Sequence, residues 1–367
     1  MDVVHPAAGA AVTRGRRVLG HVPAVRTNRA VLAALLAAYA TGVGSETTGS
    51  DGGWLVAAAH GVAGLGTLLL VPWKRRVVTT GLRRRRATRW LALLMAALTL
   101  ITIGLGVASV TGLVQSVAGQ PVLWVHIAGA LVLAPLVLWH VAARRRPRRT
   151  SRRTTGRPVV SRRAVLQAGA LGATAVGSWV VTEAVVDGLG LPGARRRFTG
   201  SHELSSLRPA GMPATSWLDD RAPATDPADW RLDVVNAAGS RRFTVADLRD
   251  DDLLPRTTRR EVLDCTSGWW SAQDWTGVPL SALVRAHGDA RSVLVRSATG
   301  YAIRFPLDGM DGLLLATDVG GRPLSPGHGA PLRLVAPGRR GFWWVKWVVG
   351  VERQTTPSWW QPPFPLT

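Results

Sequence analysis

The one cysteine of this 367-residue chain, Cys265, sits in Glu261-Val-Leu-Asp-Cys-Thr-Ser-Gly-Trp-Trp270, after a strand-like stretch and entering a glycine-containing turn. A lone cysteine cannot form a disulfide within the chain, and no Cys/His cluster of zinc-finger type surrounds it. Its ordinary reading is a small buried hydrophobe. Its chemical reading is a soft thiolate ligand for a soft metal. Downstream lie His328, Arg333 and Lys346, and apart from Lys346 the only lysine is Lys74. The planar fork of an arginine suits phosphate, and a lysine supplies a point charge for the same purpose. Three more histidines, His60, His126 and His140, fall inside long apolar stretches. Ionisable residues at such positions are functional candidates, and histidine is a common axial ligand of haem iron.

Formal net charge is +22, a value that often signals nucleic acid. The distribution argues against that partner, because from Phe198 onward basic and acidic residues nearly balance. The excess sits in arginine-rich runs between apolar stretches, and no nucleic-acid-binding motif accompanies them. Five stretches could cross a bilayer: residues 30–45, 53–73, 90–114, 122–143 and 164–182. Basic runs precede the first (Arg14, Arg16, Arg17, Arg26, Arg29), separate the second from the third (Lys74 to Arg89) and precede the fifth (residues 144–163). The other two loops carry neither Lys nor Arg, and one holds Glu46 and Asp51. This alternation places the N-terminus in the cytoplasm and everything after the fifth span outside.

The expected organisation is therefore a cytoplasmic basic N-terminus (1–29), a four-helix membrane domain (30–143), an arginine-rich cytoplasmic linker (144–163), a fifth transmembrane helix (164–182), a linker (183–197) and an outer domain (198–367). The linker ends in Arg195-Arg196-Arg197, against the charge rule, which suggests contact with lipid headgroups. Ser161-Arg-Arg-Ala-Val-Leu-Gln167 resembles a twin-arginine export signal, with Val and Gln where the motif has Phe and Lys. Such a signal would export a domain already folded around its cofactor. The plainer reading is two more topology-setting arginines. No A-x-A cleavage site follows, so the helix is expected to stay as an anchor.

Beyond residue 198, short alternating or β-branched runs predict strands at residues 230–235, 292–296, 301–305, 331–335 and 344–349, with short helices at 245–249 and 280–286. The fold class is α+β: five transmembrane helices, then an extracytoplasmic mixed α+β domain.

Cys-Thr-Ser-Gly-Trp269, followed by Trp275-Thr-Gly-Val-Pro-Leu280, resembles the molybdenum-ligand segment of the sulfite oxidase family of molybdopterin oxidoreductases. Leu315-Ala-Thr-Asp-Val-Gly-Gly-Arg-Pro-Leu324, His328-Gly-Ala-Pro-Leu-Arg333 and Gly341-Phe-Trp-Trp-Val-Lys346 resemble its pterin-binding segment, in order and at the right intervals. The likeness covers under half of the chain and is closest to the bacterial periplasmic type, which includes the catalytic subunit of the methionine sulfoxide reductase system. It implies that Cys265 ligates molybdenum. It implies that His328, Arg333, Trp344, Val345 and Lys346 contact the pterin and its phosphate, and that Ser297, Thr215 and Ser216 touch the cofactor. It further implies oxygen-atom transfer on a sulfite- or sulfoxide-class substrate, with a quinone or cytochrome partner for the electrons. The dimerisation domain of animal and plant sulfite oxidases is not expected here, so neither is their dimer. Arg304 is a candidate for an anion pocket.

His126 and His140 lie fourteen residues apart, on one helix face about 21 Å apart, a spacing that resembles two-haem cytochrome b helices. The inner counterpart, fourteen residues after His60, is Lys74, so a single haem b held by His60 and His126 is the expectation. Hydrogen bonding within the helix bundle is the ordinary reading of these histidines. Two other functions remain open on the sequence. One is a haem b electron carrier with a non-catalytic outer domain. The other is a binding module presenting Trp269, Trp270, Trp343, Trp344, Trp359 and Trp360. Metal analysis separates both from the enzyme.

Overall fold

The computed structural model describes residues 23–84, 89–144, 161–216, 220–236, 239–284 and 289–362. Arg14, Arg16, Arg17, Arg85, Arg86, Trp217, Ala286 and most of the basic segment 144–163 lie outside the described residues. The N-terminal region consists of α1 (Ala24–Thr47), α2 (Trp54–Leu69), α3 (Val71–Arg84), α4 (Arg89–Thr111), α5 (Val122–Arg144) and α6 (Arg162–Gly188). Four of these are long and apolar enough to cross a membrane, or up to five spans if α2 and α3 count as one bent span.

The expected second span, residues 53–73, is not one continuous helix. It breaks at Leu70, and the pieces meet at 50°. Pro72 supplies the reason: it has no N–H to continue the ladder, and its ring crowds the carbonyl four residues back. Beyond the break, α3 carries Lys74, Arg75 and Arg76 and is polar on average. The turn after α4 is a small hairpin of β1 (Ser116–Val117) and β2 (Gln120–Pro121). Within the bundle α1 packs along α2, and α4 along α5, giving two hairpins; α6 lies against α2.

The C-terminal domain is built from two mainly antiparallel sheets. In the first, β6 (Thr257–Cys265) and β7 (Trp269–Pro279) form a long hairpin. Strand β7 also pairs with β3 (His202–Glu203) and β10 (Leu314–Val319), and β10 pairs with β11 (Arg322–Pro323) and β12 (Arg333–Val335). The second runs β5 (Gly239–Phe243), β4 (Leu232–Asn236), β13 (Val348–Gln354), β8 (Ser292–Ser297) and β9 (Ala302–Pro306). Burial alternates along β7, with Trp269, Ser271, Gln273 and Trp275 inward, as a half-buried strand requires. One core joins the sheets through residues such as Trp275, Leu314, Leu334, Val295 and Val351.

Two local expectations change. The stretch 344–349 is not a strand: a 3-10 turn at Gly341–Trp343 precedes it, and β13 begins only at Val348. Trp347 adopts a left-handed φ of 51°, and its N–H donates to the Gly329 carbonyl, so the chain bends here instead of extending. The helix expected at 245–249 is a 3-10 turn at Asp247–Arg249, and that at 280–286 is the single turn α7 (Leu280–Leu283).

The two regions meet at the end of the β6–β7 hairpin. Asp264 is buried and accepts from Arg340, from Thr199 Oγ1 at 2.9 Å and from Arg197 Nε at 3.0 Å. Arg340, fully buried, donates with its other nitrogen to Glu46 at the end of α1, at 3.0 Å. His202 Nε2 lies 3.0 Å from the Ser109 carbonyl of α4. A buried carboxylate needs such partners, because an unpaired charge here would cost several kcal/mol. Arg196 pairs with Glu183 of α6 at 2.6 Å. Arg196 and Arg197 are thus engaged by protein carboxylates, which overturns their expected role as headgroup contacts.

Candidate functional site

Cys265 ends β6, and the turn after it closes with the Gly268 N–H donating to the Cys265 carbonyl at 3.1 Å. Gly268 has φ of 90°, a conformation glycine adopts at little cost. Strand alternation sends Asp264 towards the N-terminal helices and Cys265 to the opposite side. There the thiol lies 3.1 Å from Ser267 Oγ. Ser267 Oγ is 3.5 Å from Thr215 Oγ1, which accepts from Trp269 Nε1 at 3.2 Å.

Cys265 opens onto a cleft. Its walls include Thr215, Ser216, Ser297, His328, Arg333, Trp344, Val345 and Lys346, so the cleft gathers every cofactor-contacting residue expected in this domain. They arrive from the loop after β3, from β8, β12 and the turn before β13, segments far apart in sequence.

Arg333 is the more enclosed of the two cleft cations, 3% exposed. Its guanidinium carbon lies 5.4 and 5.6 Å from the ring centres of Trp275 and Trp344, which touch each other edge to face on one side of it. Nη1 donates to the His328 carbonyl at 3.0 Å, while Nε is buried with no hydrogen-bond partner. Burial pulls its pKa down to about 10. Lys346 Nζ donates to the carbonyls of Thr215 (2.8 Å) and Gly327 (2.6 Å). Burial, and then the positive Arg333 nearby, pull its pKa down to about 7. A pocket that depresses two cations in this way is short of negative charge, and an anionic ligand would restore both.

His328 lines the cleft, but both ring nitrogens are engaged, Nδ1 with Ser325 Oγ at 2.8 Å and Nε2 with the Met212 carbonyl at 3.0 Å. Burial, then Arg333, lowers its pKa, so it is a neutral, positioned ring. Arg304 is not in the cleft. It lies on β9 between buried Ile303 and Phe305, and the pleat turns it the other way, to Gln354 Oε1 at 2.7 Å. Tyr301 and Asp220 are among the cleft residues that escaped the sequence reading. The Tyr301 hydroxyl donates to the Phe342 carbonyl, and burial raises its pKa. Its alternation with Ile303 and Phe305 reads only as core. Of the tryptophans considered as a binding surface, Trp269 and Trp344 are buried, whereas Trp359 and Trp360 are exposed.

In the helical region His60 of α2 and His126 of α5 face each other, ring centres 5.8 Å apart and planes at 86°. Each Nδ1 lies 2.7 Å from a carbonyl of its hairpin partner, Ala38 for His60 and Thr102 for His126. One helical turn beyond each carbonyl is a glycine, Gly42 or Gly106. A Cβ there would lie 3.0 or 3.1 Å from the facing imidazole Cε1. The two hairpins thus present the same device twice. His140 is not part of this pair and lies fourteen residues further along α5.

Residues 220–360 match the family model described as an oxidoreductase molybdopterin binding domain. The chain is 28% identical over 145 residues to the uncharacterized oxidoreductase YuiH of Bacillus subtilis (strain 168), covering 37% of this chain and 72% of that protein. It is 31% identical over 135 residues to the protein-methionine-sulfoxide reductase catalytic subunit MsrP of Xanthomonas campestris pv. campestris, covering 30% of this chain and 42% of the other. It is 29% identical over 175 residues to the mitochondrial sulfite oxidase of Rattus norvegicus, covering 38% of this chain and 32% of the other. The chain thus spans less than half of the latter two relatives. The matched family domain lies wholly beyond α6, where the cleft is. Residues 220–360 are thus a molybdopterin-binding oxidoreductase domain, similar to that of the sulfite oxidase family.

Proposed function

We propose that this chain is a membrane-anchored enzyme whose C-terminal domain, on the extracytoplasmic face, transfers an oxygen atom to or from a sulfite- or sulfoxide-class substrate. The substrate is either small or borne on a protein. The observation that carries this reading is the convergence of Cys265, Arg333 and Lys346 on one cleft. The donor set suits a molybdopterin: a thiol for the metal, and two cations lacking a counter-charge, one with an unpartnered Nε. When bound, the cofactor supplies two-electron oxygen-atom chemistry. Cys265 ligates the metal. Arg333 and Lys346 hold the phosphate, with the backbone at Trp344 and Val345, and Ser297, Thr215 and Ser216 line the pterin's bed. His328 orients the loop through Ser325 and Met212. Tyr301 and Asp220 face the space left for substrate.

The membrane region holds one haem b between His60 and His126, and electrons leave or enter the membrane side as quinol or quinone. The two rings face each other with centres 5.8 Å apart, so both would be available to hold the iron. Nδ1–H donation to a carbonyl leaves Nε2 unprotonated, the form that ligates metal. The alternating basic loops support the orientation, and Arg162–Arg163 at the head of α6 supports export by the twin-arginine route. Purified protein should contain molybdenum, pterin and b-type absorbance. It should turn over sulfite with an electron acceptor, or methionine sulfoxide with a donor. Protein without molybdenum, from cells replete in it, would overturn the reading.

A further inference from the structure

Only three acidic residues precede Glu183 in the chain: Asp2, Glu46 and Asp51. One of them, at the end of α1, reaches into the C-terminal domain. Glu46 Oε2 accepts from Arg340 at 3.0 Å, across 294 positions of sequence. We infer that Glu46 is a positioning residue for the molybdenum cleft, acting through Arg340 on Cys265 and on the segment 341–346, so that the helical region completes the geometry of the site. This rests on Cys265 as the metal's ligand, proposed above.

Arg340 acts in two directions. Backward, its side chain donates to Asp264, the neighbour of Cys265, and to Ser201 Oγ at 3.3 Å. Ser201 Oγ in turn donates to the Cys265 carbonyl at 3.3 Å. The backbones of Asp264 and Arg340 form a parallel bridge. A Cβ on Gly341 would lie 3.1 Å from Cys265 Cα, so these two backbones are packed with no side chain between them. Forward, the Gly341 carbonyl accepts from the Trp344 N–H at 3.0 Å, and the Phe342 carbonyl accepts from the Tyr301 hydroxyl. Gly341, Phe342, Trp344, Val345 and Lys346 all wall the cleft, whereas Glu46 lies outside it. A shift of Arg340 would therefore move the thiol and the phosphate-binding segment together.

Charge balance gives Glu46 its leverage. Asp264 accepts from two guanidiniums, those of Arg340 and Arg197. One carboxylate balances only one of them. Glu46 is the second carboxylate, and the two arginines and two carboxylates then balance. Arg340 is fully buried, so no water relieves an excess charge there. With Glu46 neutral, both arginines compete for Asp264, and the strand end that carries Cys265 has to adjust.

The test compares the full chain in detergent with Glu46→Gln, which keeps the shape and an acceptor oxygen but removes the charge. Molybdenum and pterin content are measured first, and then the molybdenum(V) resonance of partly reduced protein. Last come kcat and KM with whichever of sulfite and methionine sulfoxide the wild type turns over. The expected result is metal content within about twofold of wild type, a shifted or broadened resonance, and kcat lower by about tenfold with KM little changed. Adding Arg197→Gln to Glu46→Gln restores neutrality and should return the resonance and most of the kcat. This double variant also serves if Glu46→Gln alone folds poorly. Glu183→Gln breaks the Arg196–Glu183 pair at the same junction and should leave resonance and kcat unchanged. A wild-type resonance and kcat in Glu46→Gln, a double variant no closer to wild type than the single, or equal changes in Glu183→Gln would each overturn the positioning role alone. Wild type without molybdenum, or an unchanged sulfur shell in Cys265→Ser, overturns the reading beneath it.

Discussion

The helical region and the C-terminal domain build their sites in opposite ways. The histidine pair uses one device repeated: a carbonyl, a glycine one turn later and an imidazole from the neighbouring helix, once per hairpin. The cleft repeats nothing. It collects a thiol from a hairpin end, a guanidinium from a short strand beside two tryptophans, and an ammonium from a bent turn. Helices fix positions by length and facing, so two symmetric histidines need only local sequence. A sheet domain places residues by long-range pairing, so its site depends on segments up to 131 positions apart, as between Lys346 and Thr215.

The difference predicts how each site breaks. The histidine pair should fail all at once. His60→Ala or His126→Ala should eliminate b-type absorbance, while His140→Ala retains it. Gly42→Val or Gly106→Val should do nearly as much damage, because a bare Cβ would already lie at 3.0 or 3.1 Å from an imidazole carbon. Full absorbance in the glycine variants would show that the notches play no part.

The cleft should fail by degrees. Arg333→Ala removes charge-assisted bonds worth about 1.5–3 kcal/mol each. Pterin retention should fall by roughly ten- to a hundredfold, measured as cofactor content after gel filtration. Unchanged content would remove Arg333 from the phosphate site. At the junction, Asp264→Asn leaves the buried Arg340 and Glu46 poorly matched. It should lower the unfolding free energy by about 3 kcal/mol, read by thermal or denaturant unfolding of the holo-protein.

The smallest effect follows from Lys346. In cofactor-free protein its pKa lies at about 7, below its ordinary value of 10.5. Charge is therefore lost as pH rises through about 7, and sulfate affinity should fall several-fold between about pH 6 and 8. Because the unfolded chain binds the extra proton between about pH 7 and 10, stability of the cofactor-free form should rise across that window. Lys346→Gln should flatten both curves.

How much was legible follows the same division. Apolar length and alternating arginines locate five of the six helices, and the depths of His60 and His126 suggest their pairing. Gly42 and Gly106 are unreadable as notches until the helices are paired. Leu70 looks like mid-span, and only Pro72 behind it hints at a break. In the C-terminal domain Cys265, Arg333 and Lys346 stand out because their spacing carries the family likeness. Tyr301 does not, because it heads a strand whose alternation already accounts for it. Arg304 misleads for the related reason that a cation on a strand has two possible faces. The partners of Arg196 and Arg197, Glu183 and Asp264, lie 13 and 67 positions away, and no local pattern announces them.

The central claim is that Cys265 ligates molybdenum while other residues retain the cofactor. X-ray absorption at the molybdenum edge, with metal content and turnover on the same samples, tests it most directly in wild type and Cys265→Ser. The account predicts that the variant keeps most of its molybdenum and pterin, loses one sulfur from the metal's coordination shell, and shows no turnover. An unchanged sulfur shell with normal activity in Cys265→Ser would contradict it and make the cysteine a packing residue.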